Sequence, residues 1–122
     1  MARKLRNIKL YIYDIAISIN KINSYISNLS FGQFKKDDKT IDAVIRNFEI
    51  IGEAANQLPE KFKKENKNIN WREVIDFRNV IVHEYFGVNL EIIWDIIENE
   101  LPALKEKIDI LYSFLPDQII EY

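Results

Sequence analysis

Apolar residues recur along the first part of the chain at the alternating three- and four-residue intervals of a bundle helix. Two interleaved series share a seven-residue interval: Leu5, Ile12, Ile19 and Ile26, and Ile8, Ile15, Ile22 and Leu29. This interleaving places all of these side chains on one face of a helix. The pattern predicts a long helix from about residue 4 to 29, which Ser30-Phe31-Gly32 is expected to end.

A second apolar stripe begins after a pair of acidic residues. Asp37 and Asp38 suit a helix N-terminus, because a carboxylate there accepts hydrogen bonds from free amides and meets the positive end of the helix dipole. Pro59 is expected to set the other end. The stripe between them predicts a second long helix with a buried face made of Ile41, Val44, Ile45, Phe48, Ile51, Ala55 and Leu58.

The middle of the chain predicts a short helix, a turn and a longer helix. Residues 59–66, PEKFKKEN, indicate a short basic helix anchored by Phe62, and NKNIN at 66–70 indicates a turn. Residues 71–86 are ambiguous, since the run Val-Ile-Val alone fits a strand as well as a helix. The charged residues around that run do not alternate with a period of two, which favours a helix ending at Gly87.

The last apolar stripe predicts another long helix. Asn89 is expected to cap it, and Pro102 lies inside the stripe, so a kink or a break is expected there. Its buried face should comprise Ile93, Ile97, Leu101, Leu104, Ile108, Leu111 and Leu115. Together these patterns predict an all-α bundle of about five helices, four of them long, with up-down topology. Residues 1–122 are expected to form one domain.

Composition narrows the classes of function. The net charge of −2 gives no global positive field to attract nucleic acid, so any RNA contact must be local or belong to an assembly. Cysteine is absent and there is one histidine, so disulfides and thiolate sites are excluded and no metal or cofactor is predicted. No apolar run is long enough for a membrane span. Asp14, Asn20 and Lys21 interrupt the first run, which favours a mature cytoplasmic helix over a signal peptide.

The stretch RNVIVHEY, residues 78–85, contains the single histidine and a set of polar groups that suit phosphodiester chemistry. On a helix, Asn79 and His83 share a face, whereas Arg78 is offset by about 140° and must curl back or reach a partner subunit. Histidine can act as base or acid near neutral pH. Arginine can bind a phosphate through two parallel hydrogen bonds, and Asn79 can orient the imidazole or donate to a phosphate oxygen.

Each of these residues also has a structural interpretation. A lone histidine near a helix end is more often a satisfied structural group than a catalyst, and Tyr85 could be a core-edge aromatic. Arg78 could pair with a nearby carboxylate, for which the sequence offers Glu73, Asp76 and Glu84.

Other features leave similar alternatives. The small residues Gly52, Ala54 and Ala55 favour close helix–helix approach, with Glu53 and Asn56 as lesser candidates for lining a cleft. The basic run at 61–67, KFKKENK, favours a solvated face over an RNA contact. The two tryptophans, Trp71 and Trp94, are expected to be core or interface aromatics.

The string R-x4-H-x-Y resembles the signature of the HEPN superfamily, and more closely that of HepT-like toxins of toxin–antitoxin pairs. Supporting segments are residues 43–59, 68–89 and 92–108, and the resemblance extends from about residue 4 to 112. The tail at about 113–122 lies outside it. The resemblance implies a metal-independent endoribonuclease with catalytic Arg78, His83 and Asn79 at a homodimer interface. The RNA substrate is left open between tRNA and mRNA.

The resemblance also implies a partner and a modification. In HepT-like systems, of the type VII class, an MntA-like nucleotidyltransferase antitoxin transfers AMP from ATP to the tyrosine of the motif, here Tyr85. A second hypothesis is a non-catalytic helical dimer that binds such a nucleotidyltransferase and is modified by it. A third is a generic helical dimer in which His83 is structural.

Overall fold

The computed structural model describes residues 7–83 and 89–116, with the backbone alone described from 79 to 83. Every regular element in these ranges is a helix, as the sequence predicts. They are α1 (Ile8–Ile26), α2 (Phe31–Lys35), α3 (Asp38–Gln57), α4 (Glu60–Glu65), α5 (Trp71–His83), α6 (Leu90–Asn99) and α7 (Leu101–Phe114).

The first helix buries the predicted seam but ends earlier than expected. Its buried apolar residues are Ile12, Ile15, Ile19 and Ile22. The chain leaves the helix after Ile26, and Asn28 takes a positive φ of 67°, a left-handed conformation that asparagine tolerates better than most residues. Ser30 then caps the short helix α2 through a capping box with Gln33. The segment predicted only to end α1 therefore also starts a new helix.

The helix α3 begins and ends where its local signals predict. Asp37 is the N-cap, and its carboxylate accepts hydrogen bonds from the Thr40 amide at 3.0 Å and the Thr40 hydroxyl at 2.8 Å. These hydrogen bonds stabilise the charged form and lower the pKa of Asp37. The other end falls at Gln57, two residues before Pro59. All the residues of its predicted stripe are buried except Ile41, which is half-buried.

The segment between α3 and α5 is held by specific hydrogen bonds. The Trp71 indole N–H donates to the Asn66 carbonyl at 3.0 Å, and Lys107 Nζ donates to the Asn68 carbonyl at 2.9 Å. Trp71 is buried, as predicted, and Ile69 in the predicted turn is buried as well. The sequence 71–83 is helical, which confirms the choice of helix over strand. The prediction that Gly87 ends this helix lies outside the described residues.

The last predicted helix is divided in two. Asn89 caps α6 by accepting from the amides of Glu91 and Ile92, as predicted. The break falls at Glu100, just before Pro102 in the first turn of α7. Proline suits this position, because the first turn of a helix requires no hydrogen bond from its nitrogen.

Seven helices in the described part of the chain thus replace the predicted number of about five. The two additional helices are α2 and the second half of the divided helix. The helix α3 lies at the centre, packed against α1 on one side and α5 on the other, while α7 packs against α1 and α6. Within the described ranges, no helix combines the length and apolarity that a membrane crossing requires.

Candidate active site

An ion pair between α3 and α5 joins one predicted catalytic residue to one predicted cleft residue. Arg78 Nη1 donates to Glu53 Oε1 at 2.6 Å. The two residues are 25 positions apart in sequence, so the contact exists only because α3 and α5 pack together. The Arg78 side chain is 29% exposed and that of Glu53 is 58% exposed, so the pair lies at the protein surface.

Gly52 allows the two helices to approach closely at this pair. A Cβ atom at Gly52 would lie 2.7 Å from Arg78 Cβ, 2.9 Å from the Arg78 backbone nitrogen and 3.0 Å from the Ile75 carbonyl oxygen. Two of these neighbours are backbone atoms, which cannot move aside without displacing α5. The small residue therefore determines how near α5, and with it Arg78, lies to Glu53. This agrees with the expectation that Gly52 serves close helix packing.

The neighbours of Arg78 anchor its backbone in the core. Phe77 is buried and meets Phe48 of α3 edge to face, with ring centroids 5.4 Å apart. Such aromatic pairs add to the stabilisation gained from burial alone. Arg78 Nε is also buried and has no hydrogen-bond partner among the described residues. The guanidinium is thus fixed by Glu53 at one nitrogen while it retains unused hydrogen-bonding capacity.

An arginine held in this way can bind an anion. Guanidinium carries five N–H donors in a planar fork, and the contact with Glu53 occupies Nη1 alone among the described contacts. The exposed fraction of the side chain gives a phosphate access to those remaining donors that are not buried, which leaves out the buried Nε. The carboxylate offsets part of the positive charge, but it also fixes the orientation of the fork, and orientation is what bidentate recognition of a phosphate needs.

The remaining predicted site residues are only partly described. Asn79 and His83 belong to α5, but their side chains lie outside the described part of the structure, as does Tyr85 altogether. Asn56 is exposed on α3, three residues after Glu53, so the two share a face of that helix. In the described ranges, no group of three His, Cys, Asp or Glu residues is arranged to bind a metal.

Of the three carboxylates that the sequence offered to Arg78, Glu84 lies outside the described residues, and neither of the other two forms an ion pair with Arg78 in the described part of the chain. Glu73 and Asp76 precede Arg78 on the same helix by five and two residues, spacings that point side chains to different faces. The carboxylate that contacts Arg78 comes instead from α3. The available signal was the position of Glu53 directly after Gly52, because a residue beside a close helix contact can reach across it.

A basic groove lies at the start of α5. It has a volume of about 670 Å³ and is lined by Lys63, Lys64, Lys67, Ile69, Asn70 and Trp71. Lys63 is an exception to the predicted solvated face, since it is buried and pairs with Glu60 at 3.2 Å.

A second, acidic groove of about 230 Å³ lies between α5 and the two last helices. Its charged lining residues are Glu73, Glu100 and Lys107. Burial, followed by the negative charges of Glu73 and Asp95, raises the pKa of Glu100. The two grooves share Ile69 and Asn70 as a common boundary.

Comparison with known proteins relates this architecture to one family. A family model described as "Ribonuclease HepT-like" matches residues 15–111. The probable ribonuclease HepT of Thermococcus cleftensis is 40% identical over 104 residues, covering 85% of this chain and 94% of that protein. A candidate RNase of Methanocaldococcus jannaschii is 39% identical over 97 residues, covering 80% of each chain.

A candidate RNase of Caldanaerobacter subterraneus is also similar, with 40% identity over 83 residues, 68% of this chain and 74% of that protein. No solved structure matches the chain significantly. The matched family range includes α3, α5 and the Glu53–Arg78 pair.

Proposed function

The chain belongs to the HepT-like ribonuclease family, and from that premise we propose that it is the toxin of a toxin–antitoxin pair, a metal-independent endoribonuclease. The observation that carries the proposal is the position of Arg78. This residue of α5 is held to α3 through Glu53, is partly exposed, and lies within the range that the family model matches. An exposed, oriented guanidinium suits a phosphate in RNA.

The proposed reaction is an internal transfer at phosphorus. One His83 takes the proton from a ribose 2′-OH, and that oxygen attacks the adjacent phosphate. The bond from phosphorus to the 5′ oxygen breaks, and a second protonated histidine gives its proton to the leaving oxygen. The products are a 2′,3′-cyclic phosphate and a 5′-OH end. Arg78 offsets the negative charge that develops on the phosphate oxygens, and Asn79 orients the imidazole.

A homodimer with a shared cleft supplies the second histidine. The chain has one histidine, and a base and an acid are both needed in one turnover. In a two-fold dimer the same patch of each subunit faces the other, so two copies of His83 and two of Arg78 would meet. The same arrangement doubles the local positive charge available to RNA, whether tRNA or mRNA, in a protein with a net charge of −2.

Purified protein tests the cleavage directly. Wild-type protein is expected to cut RNA in the presence of EDTA and to leave 2′,3′-cyclic phosphate ends. The variant His83→Ala should lose at least about a hundredfold in rate, since general acid–base catalysis contributes on that scale. Growth inhibition on expression should be lost with it. Toxicity that persists in His83→Ala, or cleavage that EDTA abolishes, would contradict the proposed mechanism.

Regulation is proposed to act at Tyr85. A nucleotidyltransferase antitoxin of the MntA type would join the tyrosine oxygen to the α-phosphorus of ATP, with pyrophosphate as the leaving group and loss of the phenolic proton. The resulting AMP group places a negative phosphate two residues from His83. This phosphate would compete with RNA for the same donors and repel the RNA phosphate.

Mass spectrometry tests the modification. Protein co-expressed in the cytoplasm with the neighbouring nucleotidyltransferase is expected to contain a Tyr85 peptide heavier by one AMP, and Tyr85→Phe should remain unmodified. An inactivated complex with an unmodified Tyr85 peptide would indicate neutralisation by binding alone. If the protein binds and is modified but leaves a broad panel of RNAs uncut, it is a non-catalytic partner of the transferase.

A further inference from the structure

We propose that the basic groove at the start of α5 binds the RNA strand beside the phosphate that is cleaved. The inference rests on the proposed function, because RNA is the substrate that it assigns. It adds a second contact region, distinct from Arg78, that would contribute to the affinity of the protein for RNA. The groove is the one lined by Lys63, Lys64, Lys67, Ile69, Asn70 and Trp71.

The charges of the groove favour a polyanionic ligand. Lys63 is committed to Glu60, and its side chain is only 9% exposed. Lys64 and Lys67 are exposed, and no ion pair or hydrogen bond among the described residues uses either ammonium group. Two uncommitted cations therefore point to solvent in one concave surface, while the whole chain carries a net charge of −2.

The groove is held in shape before any ligand arrives. Its apolar floor consists of Ile69 and Trp71, both buried. The Trp71 indole N–H is bonded to the Asn66 carbonyl, and Lys107 Nζ is bonded to the Asn68 carbonyl, so two hydrogen bonds fix the 66–70 segment. A preformed site loses less conformational entropy on binding than a flexible one, which favours a binding role over a mobile solvated loop.

The position of the groove relative to Arg78 fits a continuous strand. Trp71 begins α5 and Arg78 follows seven residues later on the same helix, a separation of about 10 Å along the axis. Seven residues are close to two full turns, so the two positions lie on nearly the same side of the helix. A strand that leaves the groove along α5 therefore has only about 10 Å to cross before it reaches Arg78.

The acidic groove on the other side of Ile69 and Asn70 defines the direction of approach. Glu73 and Glu100 line it together with one cation, Lys107, and the excess of negative charge disfavours a phosphate backbone. We therefore expect RNA to prefer the lysine side of the 66–70 segment over the α6–α7 side. The contrast between two adjacent grooves makes the basic one selective for an anion.

Binding of a non-cleavable RNA tests the groove separately from cleavage. The probe is a fluorescein-labelled 2′-O-methyl oligoribonucleotide of about 12 nucleotides, within the usual range for one single-strand binding site. It keeps every phosphate but lacks the 2′-OH nucleophile. Wild-type protein is compared with Lys64→Gln/Lys67→Gln and with the charge-matched control Lys21→Gln/Lys39→Gln, whose lysines are exposed on α1 and α3.

The groove variant is expected to bind the probe roughly tenfold more weakly at near-physiological salt. The slope of a plot of log Kd against log salt concentration should fall by about 1.4, because each lost phosphate contact with a single strand removes about 0.7. The control should match wild type. Equal affinity and slope in the groove variant and wild type would overturn the proposal. So would normal RNA binding combined with lost binding to the nucleotidyltransferase, which would make the groove a protein-docking surface.

The same measurements separate this inference from the proposed function. Groove-dependent binding of the probe by a protein that cuts no natural RNA would support the groove and refute the ribonuclease assignment. Cleavage of natural RNA with unchanged kcat/KM in the groove variant would support the ribonuclease and refute the groove.

Discussion

The guanidinium of Arg78 is partly exposed to solvent and partly engaged by Glu53. Both features affect how it can bind a phosphate. A guanidinium without a partner would be free to choose among rotamers and would lose that freedom on binding phosphate. The contact at 2.6 Å fixes one nitrogen of the fork. We therefore expect Glu53 to act as a positioning residue for Arg78, at the cost of some of the positive charge of the guanidinium.

Removing Glu53 is expected to lower activity more than stability. Glu53→Ala should reduce kcat/KM for RNA cleavage by about ten- to a hundredfold, because misplacement of a binding group by about 1 Å costs on that scale. Glu53→Gln should lose less, since its amide oxygen can still accept from Nη1. The unfolding temperature should change little in either variant, because exposed ion pairs contribute little to stability.

Glu49→Ala is the matched control, one turn away on α3, where Glu49 meets the exposed Arg46 at 3.8 Å. Wild-type kcat/KM in Glu53→Ala would show that Arg78 needs no positioning by α3. An activity loss that Glu53→Gln shares in full would show that the carboxylate charge matters rather than the hydrogen bond.

The sequence alone predicts the residue types of the candidate site, and that prediction still awaits a test, whereas the ion pair could not be predicted at all. The string from Arg78 to Tyr85 is contiguous, so its chemistry is visible directly. The pairing with Glu53 depends on the rotation and offset of two helices, which no local pattern encodes. Helix geometry would nevertheless have argued against Glu73 and Asp76 as partners, since their spacings of five and two residues place them on other faces.

At the scale of elements, the contact of α3 with α5 at Gly52 brings Arg78 beside Glu53. Local signals predicted most helix ends well, because a cap such as Asp37 or Asn89 acts through its immediate neighbours. The short helix α2 was not predicted, although its start is also marked by a local signal. Its capping box is as local as the others, but the same residues also resemble a simple chain break. The close approach at Gly52 required the tertiary structure, although its small size suggested it.

Gly52→Ala is expected to destabilise the protein and to impair the site together. The added methyl would lie 2.7 Å from Arg78 Cβ and 2.9 Å from its backbone nitrogen, so α5 must shift. Overpacking of this kind costs about 1–3 kcal/mol in the free energy of unfolding. Urea unfolding would measure that loss, and kcat/KM of the folded fraction should fall as well, because Arg78 moves with α5.

Gly32→Ala provides the control in the same experiment. Its Cβ would meet only the Ser30 hydroxyl at 3.8 Å, in an exposed turn of α2. Alanine is the better helix former, so this variant should be as stable as wild type or slightly more stable. Equal unfolding free energies for Gly52→Ala and Gly32→Ala would contradict the close approach of α3 and α5.

At the scale of the whole molecule, the net charge determines where an RNA substrate can be attracted. A net charge of −2 means that a polyanionic substrate must be attracted locally. Arg78 lies on α5, and the basic groove reaches that helix at its first residue, Trp71. Composition predicted this need for a local site, but it could not locate the groove. That location depends on how α4 and the 66–70 segment fold against α5.

The proposed sharing of two histidines between subunits predicts how activity falls in mixed dimers. Wild-type and His83→Ala chains are unfolded together, refolded and assayed at constant total protein. If one cleft needs both histidines, only the wild-type homodimer is active, and an equal mixture retains about one quarter of the activity. If each subunit cleaves alone, it retains about half.

A mixture prepared without unfolding controls for the exchange of subunits and should retain about half in either case, as long as dimers do not exchange. Activity that falls with the square of the wild-type fraction would support the shared cleft, because the probability of pairing two intact subunits is that square. A linear decrease after refolding would contradict it and would require the acid to come from another group in the same chain. The single histidine of this sequence makes the distinction clear, since no other imidazole can replace the missing one.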